Sequence, residues 1–136
     1  MVDVTVREID EMDGLFDGVM RRARAELGVT SWGMQVISLP PGWGNYPNHN
    51  HDRDAMDPNQ EEVYIPIEGS GTLVADDEEF VLAPGVMARV GPAQMRKIVP
   101  GEAGIRFVAI GGTPGEGFEP RAWSELGAPP PQPPAQ

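Results

Sequence analysis

Glycine and proline punctuate this chain from end to end, 17 of one and 15 of the other in 136 residues. Both interrupt helices and mark turns, so a helical bundle is a poor solution for such a sequence. One stretch escapes this, Gly14 to Leu27, "GLFDGVMRRARAEL", where Leu15, Val19, Met20, Ala23 and Leu27 recur at helical spacing. Gly28 follows as a C-terminal cap, so the reading is one short helix near the start. After it come short apolar runs rich in β-branched residues: "MQVISL" (34–39), "EVYIPI" (62–67), "GTLVA" (71–75), "EFVLA" (79–83), "VMARV" (86–90), "RKIV" (96–99) and "IRFVAI" (105–110). Turn residues separate them, with "ADDEE" set as a tight hairpin, and the class predicted is all-β, a sandwich or barrel.

The length suits one core of ordinary size. Three segments are expected: 1–31 as an N-terminal strand and helix packed on the barrel, 32–126 as the barrel, and 127–136 as a disordered tail, since "GAPPPQPPAQ" buries too little and donates too few hydrogen bonds to fold. A net charge of -11 repels phosphate backbones and anionic lipids, which argues against nucleic-acid and membrane partners. No secretory leader or membrane-spanning run is visible, and the expected location is the cytoplasm. The chain has no cysteine, so His, Asp, Glu and hydroxyl residues must carry any chemistry.

Both histidines, His49 and His51, lie two residues apart. On an extended segment they point to one side and can converge on one ion. Glu62 opens the strand "EVYIPI" and can supply a carboxylate, completing a set of two histidines and one carboxylate. Tyr64 shares the face of Glu62. An HxH pair alone is a weak signal, and a polar loop is its bland alternative. "GGTPGEG" (111–117) lacks the spacing of a nucleotide loop, and no Ser/His/Asp triad can be assembled around Ser31, Ser38, Ser70 or Ser124.

Gly44, the pair His49/His51, then Glu62, six residues and Gly69 resemble the first motif of the cupin superfamily, and "APGVMARVGPAQMRKIV" (83–99) is similar to the second. The resemblance runs from about Trp32 to Gly112. It implies a double-stranded β-helix, or jelly roll, with a divalent metal (Fe, Mn, Ni, Cu or Zn) held by His49, His51 and Glu62. It also implies a homodimer and a small-molecule ligand or substrate.

Two departures stand out. "DRDAMDPNQE" lengthens the gap between His51 and Glu62 into a polar loop over the pocket mouth, either a lid or plain solvated surface. Arg96 occupies the place of the usual third histidine, and a guanidinium has no lone pair to offer a metal. Two outcomes are open. Either the three remaining ligands hold an ion while Arg96, Tyr64 and Gln94 bind substrate, giving an enzyme of oxygenase or isomerase type. Or Arg96 pairs with Glu62 in a metal-free pocket that binds a small anion without catalysis. Arg89 and Arg106 are expected to be solvated or paired with surface carboxylates, Trp32 to lie in the core, and Trp43 and Tyr46 to wall the pocket.

Overall fold

The computed structural model of the chain describes residues 2–55 and 57–119. The Pro-rich stretch 127–136, the end of the expected barrel segment at 126, and Ser124 lie outside the described residues. The all-β expectation holds. A 3-10 turn (Ile9–Glu11) precedes strands β1 (Gly14–Leu15) and β2 (Met20–Arg21), the helix α1 (Ala23–Leu27), β3 (Gly33–Leu39), β4 (Glu61–Ala75), β5 (Glu78–Leu82), β6 (Ala88–Val90) and β7 (Lys97–Gly112). Their order in the sheet is β1-β2-β3-β7-β4-β5, with β6 on β4. Among the described residues no helix is long and apolar enough to cross a membrane.

The N-terminal helix is shorter than its periodicity suggests. Only Ala23–Leu27 is helical, closed by Gly28 at φ 78 with its N–H on the Arg24 carbonyl. Residues 14–21 form a hairpin instead, in which Val19 N–H bonds the Phe16 carbonyl across Asp17 (φ 58) and Gly18 (φ 87). Positive φ at both central residues is the hairpin turn that Asp-Gly favours. Pairing of β2 with β3, Met20 opposite Ile37, stabilises the hairpin over a longer helix. Trp32 also departs from expectation, being 43% exposed rather than in the core.

The runs 62–67 and 71–75 are one strand, β4, and 96–99 and 105–110 belong mostly to one strand, β7. Their glycines bend the strands rather than end them. β4 and β7 pair antiparallel along most of their length, with register shifts at Pro66/Glu68 and Gly69/Gly71. At the bend Gly69 (φ 68) meets Gly104 (φ 77), and a Cβ on Gly69 would lie 2.1 Å from the Gly104 carbonyl oxygen. The bend divides the ladder: one half carries β3 and β6, the other β5.

Between the halves lies a core of Ile37, Leu39, Tyr64, Leu73, Leu82, Ile98 and Phe107. Full burial of each aliphatic or aromatic side chain here is worth roughly 1.5–3 kcal/mol before chain entropy is counted. A smaller cluster of Met12, Ala23 and Val36 forms where α1 covers the other face of β3. The hairpin at Asp76 and Asp77 forms as expected, with Asp76 at φ 54.

Arg106 is paired, as anticipated. Its Nε donates to Ser38 Oγ at 2.9 Å and its Nη2 to Asp10 Oδ1 at 2.6 Å. The hydrogen bond and charge of Arg106 hold the Asp10 carboxyl below its ordinary value. A depressed carboxyl stabilises the folded state above its unfolded pKa and loses that contribution as pH falls through the folded value. In Arg106→Gln the Asp10 titration, followed by carboxyl NMR shifts, returns to about 3.9; an unmoved titration contradicts the pairing.

Candidate metal centre

Period-two alternation along β4 turns Glu62 and Tyr64 inward, and Gln60 just before the strand shares their side. Glu62 lies opposite Val90 of β6 and Gly111 of β7. The segment before β4 is pinned to residues 92–96. His49 and Arg96 exchange backbone hydrogen bonds of 2.9 and 2.8 Å, while His51 N–H bonds the Pro92 carbonyl at 2.7 Å. Both imidazoles therefore face the same side, ring centroids 5.2 Å apart and nearly perpendicular.

The loop after His51 shapes the site directly. His51 Nδ1 lies 3.0 Å from the Asp57 carbonyl oxygen and His49 Nδ1 lies 3.0 Å from that of Pro47. A carbonyl only accepts, so each neutral ring carries its proton on Nδ1 and leaves the Nε2 lone pair free. The Nε2 atoms lie 3.9 Å (His49) and 2.9 Å (His51) from Glu62 Oε1. One ligand atom from each of the three residues falls within 4.8 Å of the others.

Glu62 is held from behind. Tyr64 OH donates to its Oε1 at 3.0 Å, and Arg96 Nη2 lies 3.6 Å from the same oxygen. Arg96 is fully buried, and its Nη2 bonds the Gly91 carbonyl at 3.3 Å while its Nε and Nη1 have no hydrogen-bond partner among the described residues. Burial pushes the Glu62 carboxyl up, but His49, His51 and the Arg96 charge outweigh it and keep the group well below the usual carboxylate range. Burial and the nearby Tyr46 and Glu62 push the Tyr64 phenol far up, so it remains a donor. For His51, burial lowers the pKa, but the Glu62 carboxylate prevails and the net direction is up.

Two imidazole nitrogens and a carboxylate oxygen are a donor set that suits Fe, Mn, Ni, Cu or Zn. His51 Nε2 stands 2.9 Å from Glu62 Oε1, a separation that calls for either a proton on the imidazole or a cation held between the two groups. The residues present fit a divalent cation, with the Arg96 charge acting to weaken its hold.

The three groups open onto a cavity of about 320 Å³ walled by Tyr46, Ile37, Ala109 and Phe118 and edged by Gln35, Asn50 and Gln60. Of the other residues named from sequence, Tyr64 and Arg96 lie behind Glu62, with no surface exposed. Gln94 belongs to a separate depression beside β5 and β6, with its amide on the Met95 carbonyl. Arg89 pairs with Glu61 at the surface. Trp43 packs against the core. Gln60 was missed by sequence reading; its position two residues before Glu62 is the signal that finds it.

No protein-family model matches the sequence, and no curated protein matches it. A solved cupin protein from Bacteroides fragilis superposes with a TM-score of 0.66 over 89% of this chain and 95% of its own, at 22% identity. The chain has the cupin fold. A cupin-superfamily sugar phosphate isomerase from Silicibacter pomeroyi superposes on this chain with a TM-score of 0.62, 18% identical over 85% of this chain and 77% of its own. A putative sugar phosphate isomerase from Acidithiobacillus ferrooxidans gives 0.60 and 23% identity over 79% and 72% of the two chains. At these identities the likeness establishes architecture, and activity must be argued from the site.

Proposed function

We propose that this cupin holds one divalent transition-metal ion on His49, His51 and Glu62 and acts as an isomerase-type enzyme on a small molecule bound in the adjoining cavity. The observation that carries the reading is the convergence of two imidazole Nε2 atoms on one carboxylate oxygen, with both Nδ1 atoms committed to backbone carbonyls. A bound ion would serve as a Lewis acid polarising a substrate oxygen. The chain supplies the rest: Pro47 and Asp57 fix the tautomers, Tyr64 and Arg96 orient and hold Glu62 ionised, and Ile37, Ala109 and Phe118 limit water. Two of the structural likenesses bear isomerase names, which supports this class over an oxygenase.

The metal-free alternative, with Arg96 in place of the ion, is disfavoured by contact geometry. The Arg96 guanidinium stands 3.6 Å from Glu62 and, among the described residues, hydrogen-bonds the Gly91 carbonyl, whereas a pair replacing a cation would be short and bidentate. A homodimer and a cytoplasmic setting belong to the same reading. Phe80, Val81, Val86 and Met87 expose an apolar patch suited to a second copy, and the net charge opposes nucleic-acid and anionic-membrane partners.

The test is proton exchange in D2O. Aldoses, ketoses and their phosphates are incubated with metal-free and metal-loaded protein, and solvent deuterium at the carbon next to the carbonyl is read by NMR. Incorporation only with loaded protein, and not with loaded Glu62→Gln, is expected. Oxygen consumption without exchange would move the assignment to an oxygenase, and neither activity would overturn it.

A further inference from the structure

The cavity beside the metal ligands has a chemical character that the fold alone does not dictate. Among the described residues no lysine or arginine lines it; its ionisable lining groups are Tyr46, His49, His51, Asp57 and Glu62. Arg96, the cation nearest these ligands, lies on the far side of Glu62 with no exposed surface, so its guanidinium cannot reach a ligand in the cavity. What the walls offer instead are neutral amides, Gln35, Asn50 and Gln60, together with the Tyr46 ring.

Gln60 is the best placed of these. It is only 9% exposed, on the same side as Glu62. Its Oε1 occupies space that a side chain on β7 would fill, since a Cβ added at Gly111 would lie 2.6 Å away. Amides both donate and accept, which matches hydroxyl groups. They give a phosphate dianion only neutral hydrogen bonds, about half as strong as charge-assisted ones, and no cationic side chain lining the cavity adds to the charge of a bound ion, which Glu62 and Asp57 already offset in part. The volume, about 320 Å³, is at the small end for ligand pockets.

We infer that the substrate of this site is an uncharged polyhydroxylated molecule, a free sugar or polyol, and that Gln60 selects it over the phosphorylated counterpart. This rests on the metal-site reading of the same pocket. It sets the protein apart from the sugar phosphate isomerases it resembles in fold.

The experiment uses full-length protein with its metal content measured on each sample. Binding of D-fructose, D-mannose and D-ribose, each against its phosphate ester, is followed by saturation-transfer NMR and calorimetry. At least one free sugar is expected to bind about tenfold more tightly than its ester. Gln60→Leu should weaken that binding about tenfold while leaving metal stoichiometry unchanged, and Gly111→Ala, which crowds Gln60, should act in the same direction. Tighter binding of an ester, no binding of any free sugar, or a Gln60→Leu variant that binds as wild type would overturn the inference. Absence of metal from every sample would instead strike at the metal-site reading, while a preference for the free sugar would still support the inference.

Discussion

Replacing Gly69 with alanine lowers the melting temperature of this protein by about 10 °C. The left-handed conformation at φ 68 costs a residue bearing a Cβ about 1–2 kcal/mol. The greater part of the loss is steric, because the new Cβ would sit 2.1 Å from the Gly104 carbonyl oxygen. That atom is backbone and cannot rotate away, so β4 and β7 must separate where both strands bend. Their combined cost is about 3 kcal/mol, a large fraction of the stability of a single domain. Gly112→Ala is the control, since a Cβ there meets nothing within 4 Å, and its melting point should stay within about 2 °C of wild type. Equal melting of the two variants would show that the strands do not depend on close approach at Gly69.

The second large effect concerns the metal ligands. His49→Ala/His51→Ala is expected to remain folded, because each imidazole gives the fold a hydrogen bond to a loop carbonyl and an approach to Glu62, while the loop backbone stays anchored on residues 92–96. Losing such contacts costs about 1 kcal/mol apiece. Wild-type protein with free ion at a hundredfold excess over its dissociation constant gains about 2.7 kcal/mol from linkage. That corresponds to a rise of roughly 8 °C in melting temperature, reversed by chelator. The double variant should show no response to ion or chelator. If both proteins respond equally, the ion binds elsewhere, and the surface carboxylates become the place to look.

Much of this was legible in the sequence because local rules and tertiary demands agreed. The HxH pair, the glutamate at the head of a strand and the Asp-Asp hairpin all have short-range causes. Residues 14–21 misled because "GLFDGVM" carries a helical period and an Asp-Gly turn signal together, and pairing with β3 decides between them. The breaks read into "EGSG" and "PGEAG" misled for a related reason: glycine permits a bend as readily as an end, and only the continuous β4–β7 ladder distinguishes the two. Arg96 pairs with His49 across an isolated bridge, but strand alternation does not say whether a long side chain lines a cavity or lies behind one. Gln60 went unread because an amide draws no notice until Gly111 and Glu62 are seen beside it.

The central claim is that His49, His51 and Glu62 hold an ion, and elemental analysis of untagged protein tests it most directly, before and after incubation with divalent iron, manganese, nickel, copper and zinc. The account predicts about one ion per chain in the wild type and none in His49→Ala/His51→Ala. Wild-type protein that emerges without metal after every incubation, or a double variant that retains it, would contradict the account.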